Sequence, residues 1–126
     1  MYEITVKKTF AAAHRLPGYK GRCAAVHGHT WTVEVSVAGV SLDENGMLID
    51  FIQLKEIVTQ ITRDFDHQYL NDLKLADSVV TTHPTAENLA RYIFKQLGRL
   101  LPPNLSLTKV KVWESAETAA SYQEGV

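Results

Sequence analysis

Cysteine is almost missing from this chain of 126 residues: Cys23 stands alone, which excludes an internal disulfide. Long apolar runs are missing too. No stretch approaches the roughly 18 residues that a membrane span needs. The opening Met-Tyr-Glu-Ile-Thr-Val-Lys-Lys lacks the apolar core of a signal peptide. No charge sign dominates, since 13 basic and 14 acidic residues leave a net charge of −1 without a basic block. That argues against nucleic-acid binding by bulk electrostatics, while leaving room for a local basic pocket around a small anion. Internal repeats and low-complexity segments are absent as well. The expectation is a single domain over residues 1–126, large enough for its own core. It is expected in the cytoplasm, where a lone thiol stays reduced, with neither nucleic acid nor membrane as partner.

What is present is patterned. Residues 2–14 alternate, with Tyr2, Ile4, Val6, Phe10, Ala12 and His14 on one face and Glu3, Thr5, Lys7 and Thr9 on the other, which predicts a half-buried strand. Pro17-Gly18 and Gly21 mark a loop to about Ala25. Residues 27–40 alternate again, with His27, His29, Trp31, Val33, Val35 and Val37 in phase. Asp43-Glu44-Asn45-Gly46 reads as a turn and Asp50 as a helix N-cap. Phe51, Leu54, Val58, Ile61 and Phe65 then recur at helical spacing. Asp66–Asn71 reads as a polar loop. Pro84 and Thr85 open a second helix, with Leu89, Ile93, Phe94, Leu97 and Leu101 as its core face, and Pro102-Pro103 stop it. Residues 105–114 return to strand, and Ala119–Gln123 form a short last one. The order strand, strand, helix, helix, strand, strand predicts an α+β fold: a four-stranded antiparallel sheet with two helices on one face.

Three histidines are spaced to share one metal ion. Side chains at i and i+2 of a strand point to the same face, so His27 and His29 can converge. His14 joins them if the first two strands pair antiparallel. Three neutral imidazoles leave a tetrahedral ion one position short, which is where chemistry can occur. Zinc suits such a set, although iron and nickel also accept imidazole. Cys23, four residues before His27, is either the fourth ligand of a closed site, a catalytic thiol beside an open one, or an inert small residue. Asp66 could fix the tautomer of His67 for proton transfer, provided the chain turns there; otherwise the pair is a polar helix end. Glu114 is in phase with Val110 and Val112 and should point inward. A carboxylate there could grip two neighbouring N–H donors of a ligand, or simply be a solvated strand end. Arg15, Lys20 and Arg22 surround the histidine loop and could meet an anion. His83 reads as a loop histidine, and Thr85 as a helix cap.

These residues, in this order, resemble the 6-pyruvoyl- and 6-carboxy-tetrahydropterin synthase family over nearly the full chain. The marks are Phe10-Ala-Ala-Ala-His14-Arg15-Leu16, Cys23-x-x-x-His27-Gly28-His29, Leu48-Ile49-Asp50-Phe51, Leu54-Lys55, Asp66-His67-x-Tyr69-Leu70-Asn71, Pro84-Thr85-x-Glu87-Asn88-Leu89-Ala90 and Trp113-Glu114. The Cys23-to-His27 spacing is similar to that of bacterial 6-carboxy-tetrahydropterin synthases of queuosine biosynthesis. The pyruvoyl enzymes typically place more residues there, and a folate-linked branch replaces the cysteine by glutamate. The resemblance implies a tunnelling fold assembled as a homohexamer with active sites between subunits. It implies zinc on His14, His27 and His29, and Cys23 as a catalytic thiol acting with Asp66 and His67. It further implies that Glu114 grips the pterin edge, with Thr85 as a second substrate contact. The implied substrate is 7,8-dihydroneopterin triphosphate.

Overall fold

The computed structural model describes residues 1–125. The first two strands, β1 (Tyr2–His14) and β2 (His27–Gly39), form one long antiparallel pair. After them come helix α1 (Phe51–Thr62), a two-residue strand β3 (Gln68–Tyr69), a short helix α2 (Ser78–Thr82) and helix α3 (Ala86–Gly98). Strands β4 (Ser106–Trp113) and β5 (Ala119–Tyr122) complete a sheet of order β3-β1-β2-β4-β5.

The α+β class is as expected, but the sheet has five strands instead of four, and one pair is parallel: Ala12 lies opposite Gln68 and Ala13 opposite Tyr69. The extra strand falls in the segment read as a loop. Two residues are too few to show alternation, and the contacts that make this segment a strand lie on the backbone of β1, far away in sequence. The third helix, α2, escaped notice for the same reason. Its five residues are too few to show a helical period, and it forms because the Asp77 side chain accepts from Val79 N and Val80 is buried.

One face of the sheet carries both long helices. Leu54, Ile57, Val58 and Ile61 of α1, with Leu89, Ile93, Phe94 and Leu97 of α3, pack on Val33, Val35, Val110 and Val112. Each fully buried aliphatic side chain contributes on the order of 1.5–3 kcal/mol, so packing rather than intrinsic propensity holds the helices. The caps were legible in sequence: Asp50 accepts from Ile52 N at 2.8 Å and Thr85 from Asn88 N at 3.1 Å. Phe51 departs from the expected core face. It stands at the first helical position beside its cap and is 57% exposed, while Phe65 is buried in the turn beyond the helix. Among the described residues no helix is long and apolar enough to cross a membrane.

Candidate metal centre

The pairing of β1 with β2 sets His14 directly opposite His27 and Ala12 opposite His29. The three rings therefore meet at one end of the helix-covered face, with centroids 4.5 Å apart for His14 and His27, 4.8 Å for His27 and His29, and 5.2 Å for His14 and His29. Below them Trp31, fully buried, presents its ring edge-on to His14 and His29 and donates from Nε1 to the Ala12 carbonyl at 3.2 Å. The sequence reading placed Trp31 on the apolar face but gave it no part in the site. The signal was its position, the next inward one after His29.

The hydrogen bonds fix two tautomers. His14 Nδ1 lies 2.7 Å from the Pro84 carbonyl and His27 Nδ1 lies 2.7 Å from the Ala25 carbonyl. A carbonyl can only accept, so each Nδ1 carries the hydrogen and donates it. In the neutral rings both Nε2 atoms then hold lone pairs, and they face each other at 2.9 Å. That approach is repulsive unless a cation lies between them. His29 Nε2 is buried and has no hydrogen-bond partner, although Glu114 Oε1 is 3.3 Å away. Burial holds the His14 and His29 imidazoles below their ordinary pKa, against the opposing charge of Glu114. The neutral form is the one that ligates metals. The ligand atoms of His14, His27, His29 and Glu114 all lie within 4.8 Å of one another. Three converging imidazole nitrogens, one of them without a partner, and one carboxylate at that spacing fit a divalent metal ion.

Glu114 directly follows β4, and its backbone N–H donates to the Thr118 carbonyl at 3.0 Å. It is brought to the cluster; Cys23 is not among the converging donors. Cys23 sits half-buried in a single 3-10 turn, Arg22–Ala24, whose loop is closed by Leu16 N–H donating to the Cys23 carbonyl. Arg15, Lys20 and Arg22 are exposed around it. Thr85 serves as the cap of α3. The His83 ring is exposed, while the His83 carbonyl accepts from Asn88 Nδ2 and Thr85 N.

Asp66 and His67 lie apart from the cluster, at the outer edge of β1. His67 has φ 60°, a left-handed backbone that few non-glycine residues adopt. That conformation lets neighbouring side chains meet: His67 Nδ1 is 3.0 Å from Asp66 Oδ2. Asp66 Oδ1 accepts from Ala11 N at 2.9 Å, and the His67 N–H donates to the Ala11 carbonyl. The Ala11 bond is the main reason the Asp66 carboxyl sits below its usual range, with His67 adding to it. The His67 ring, 81% exposed, shares an open cleft with Ala11, Ala13, Gly28, His29 and Thr30.

The profile of one family, 6-pyruvoyl tetrahydropterin synthase, matches residues 3–125. A relative from Synechocystis named 6-carboxy-5,6,7,8-tetrahydropterin synthase is 36% identical, over 97% of this chain and 93% of its own. A relative from Pyrococcus furiosus named dihydroneopterin monophosphate aldolase is 32% identical over 90% of each chain. The solved structure of 6-pyruvoyl tetrahydropterin synthase from Caenorhabditis elegans superposes with a TM-score of 0.80 at 28% identity, covering 99% of this chain and 98% of that one.

The Asp66 geometry makes a prediction about pH. A carboxyl whose folded pKa is depressed contributes stability that is fully present above its unfolded pKa of about 3.9. That contribution is lost as the pH falls through the lower folded value. Asp66→Asn should therefore be less stable than wild type at pH 7, and the gap should close as the pH is lowered below that window. Urea midpoints of both proteins at several pH values measure it; a gap independent of pH would mean that the charge on Asp66 does not hold the turn.

Proposed function

Since the chain belongs to the 6-pyruvoyl tetrahydropterin synthase family, we propose that it is a 6-carboxy-5,6,7,8-tetrahydropterin synthase of queuosine (7-deazaguanine) biosynthesis. In this reading 7,8-dihydroneopterin triphosphate and one water are converted to 6-carboxy-tetrahydropterin, acetaldehyde and triphosphate, the water supplying the second carboxyl oxygen. The observation that carries a catalytic reading is the convergence of three imidazoles, His14, His27 and His29, beside the Glu114 carboxylate, with His29 Nε2 buried and without a partner. The choice of product rests on the Cys23-x-x-x-His27 spacing and on the name of the Synechocystis relative.

His14, His27 and His29 would hold zinc, which when bound supplies Lewis acidity toward the hydroxyls of the substrate side chain. The chain's own groups do the rest. Glu114 accepts two N–H donors from the pterin edge and so sets the ring's orientation. Cys23, on the loop that carries Gly18 and Gly21, moves a proton at the side-chain carbon. His67, with Nδ1–H held by Asp66, keeps Nε2 open as a proton acceptor. The pterin ring gains its hydrogens at the expense of its own side chain, so no outside reductant is needed. The reading includes a homohexamer with sites between subunits, in which the exposed His67 of one copy meets the metal centre of another.

Incubating the zinc-loaded protein with dihydroneopterin triphosphate and weighing the products tests this. Masses of 6-carboxy-tetrahydropterin and acetaldehyde are expected. Triphosphate without acetaldehyde would indicate the pyruvoyl activity, and bound zinc without turnover a non-catalytic module. A parallel arm with the monophosphate reads out the aldolase activity named for the archaeal relative. Cys23→Ala should retain zinc and lose at least about 100-fold in turnover; loss of zinc along with turnover would make the cysteine a ligand. Glu114→Gln should raise KM at unchanged zinc content, and zinc loss there would make Glu114 the fourth ligand instead of the pterin anchor.

A further inference from the structure

The C-terminal end of β1 is bordered by a segment with only two residues in strand register, yet its attachment runs from Ala11 to Arg15. Side chains extend the ladder at both ends. At one end the Asp66 carboxylate accepts from Ala11 N. At the other, Arg15 N donates to Asn71 Oδ1 at 2.9 Å, and Asn71 Nδ2 donates to the Arg15 carbonyl at 3.0 Å. Asn71 thus satisfies both backbone groups of the residue that follows the buried His14. A primary amide offers a donor and an acceptor together, which a carboxylate of the same size does not. Leu70, 1% exposed, pins the segment to the core next to it.

We propose that Asn71 is a positioning residue for the metal centre: its amide fixes the backbone behind His14 and ties the metal-bearing strand to the turn that carries Asp66 and His67. The inference rests on the reading of His14, His27 and His29 as metal ligands. Outer groups that orient metal ligands commonly change affinity by 10–100-fold; Asn71 acts through one further residue, so a loss near the lower end is expected.

The test is zinc affinity by chelator competition and the visible absorption of the cobalt(II) form, for wild type, Asn71→Ala, Asn71→Asp and Asp50→Ala. Asp50→Ala removes the α1 cap, which borders Tyr2, Glu3 and Ile4 at the end of β1 opposite His14, and controls for lost stability alone. Asn71→Ala should bind zinc roughly tenfold more weakly, with an altered cobalt band. Asn71→Asp keeps the acceptor for Arg15 N and should fall between it and wild type. Asp50→Ala should match wild type in both readouts. Wild-type affinity and spectrum in Asn71→Ala, or in Asn71→Asp should the alanine variant not fold, overturn the proposal. So does an equal loss in Asp50→Ala. A wild type that binds no metal overturns the metal reading, and this inference with it.

Discussion

The antiparallel register of β1 against β2 is the constraint on which the site depends. With His14 opposite His27 and Ala12 opposite His29, three imidazoles share one end of one face. A slip of one residue would turn the β2 histidines, and all its inward valines, to the other side of the sheet. The register is therefore held by the whole core. Val33, Val35 and Val37, all fully buried, set the face, and the histidines inherit it. The same residues that drive folding thus aim the three imidazoles, and no separate device is needed to bring them together.

Two backbone carbonyls then decide what the rings can do. Pro84 and Ala25 each accept from an Nδ1–H, which turns the two Nε2 atoms toward each other. Pro84 lies just before α3, so the helix layer and the sheet jointly orient His14. Between neutral rings those tautomers set two lone pairs 2.9 Å apart, and a buried nitrogen on His29 has no partner. A cation that relieves this strain binds the folded chain better than the unfolded one and stabilises it by mass action. The site is thus poised by folding and, in the reading favoured here, completed by its metal.

Much of this was legible in the sequence because it followed short periods. The i, i+2 spacing of His27 and His29, the alternation in both long strands, and the caps Asp50 and Thr85 are all local signals. What escaped was non-local. β3 is defined by the pairing of Gln68 and Tyr69 with Ala12 and Ala13 and is flanked by hydrogen bonds that Asp66, His67 and Asn71 make with the Ala11 and Arg15 backbone; no window of Asp66–Asn71 contains that information. Trp31 had the right phase, but its place beneath two histidines depends on ring packing. For Asp66 and His67, the sequence could say that a turn was required; the left-handed backbone of His67 is the turn that the surrounding bonds impose.

The two chemical halves of the chain differ in their mechanical setting. His14 is fully buried, bonded to a carbonyl and set edge-to-face with Trp31, so it has little freedom. His67 is held only at one nitrogen, by a neighbour, with most of its ring in solvent. A metal ligand must keep its geometry through a reaction, whereas a proton carrier must reach a substrate and change its charge. Burial suits the first and exposure the second, because burial penalises the charged imidazolium that proton transfer creates. The segment around β3 joins these halves: Asn71 holds the Arg15 backbone next to His14, and the exposed ring of His67 stands at the other end. In the proposed reading, the pairing of β1 with β3 lets a buried metal centre and an exposed acid–base group be built on neighbouring strands without either compromising the other.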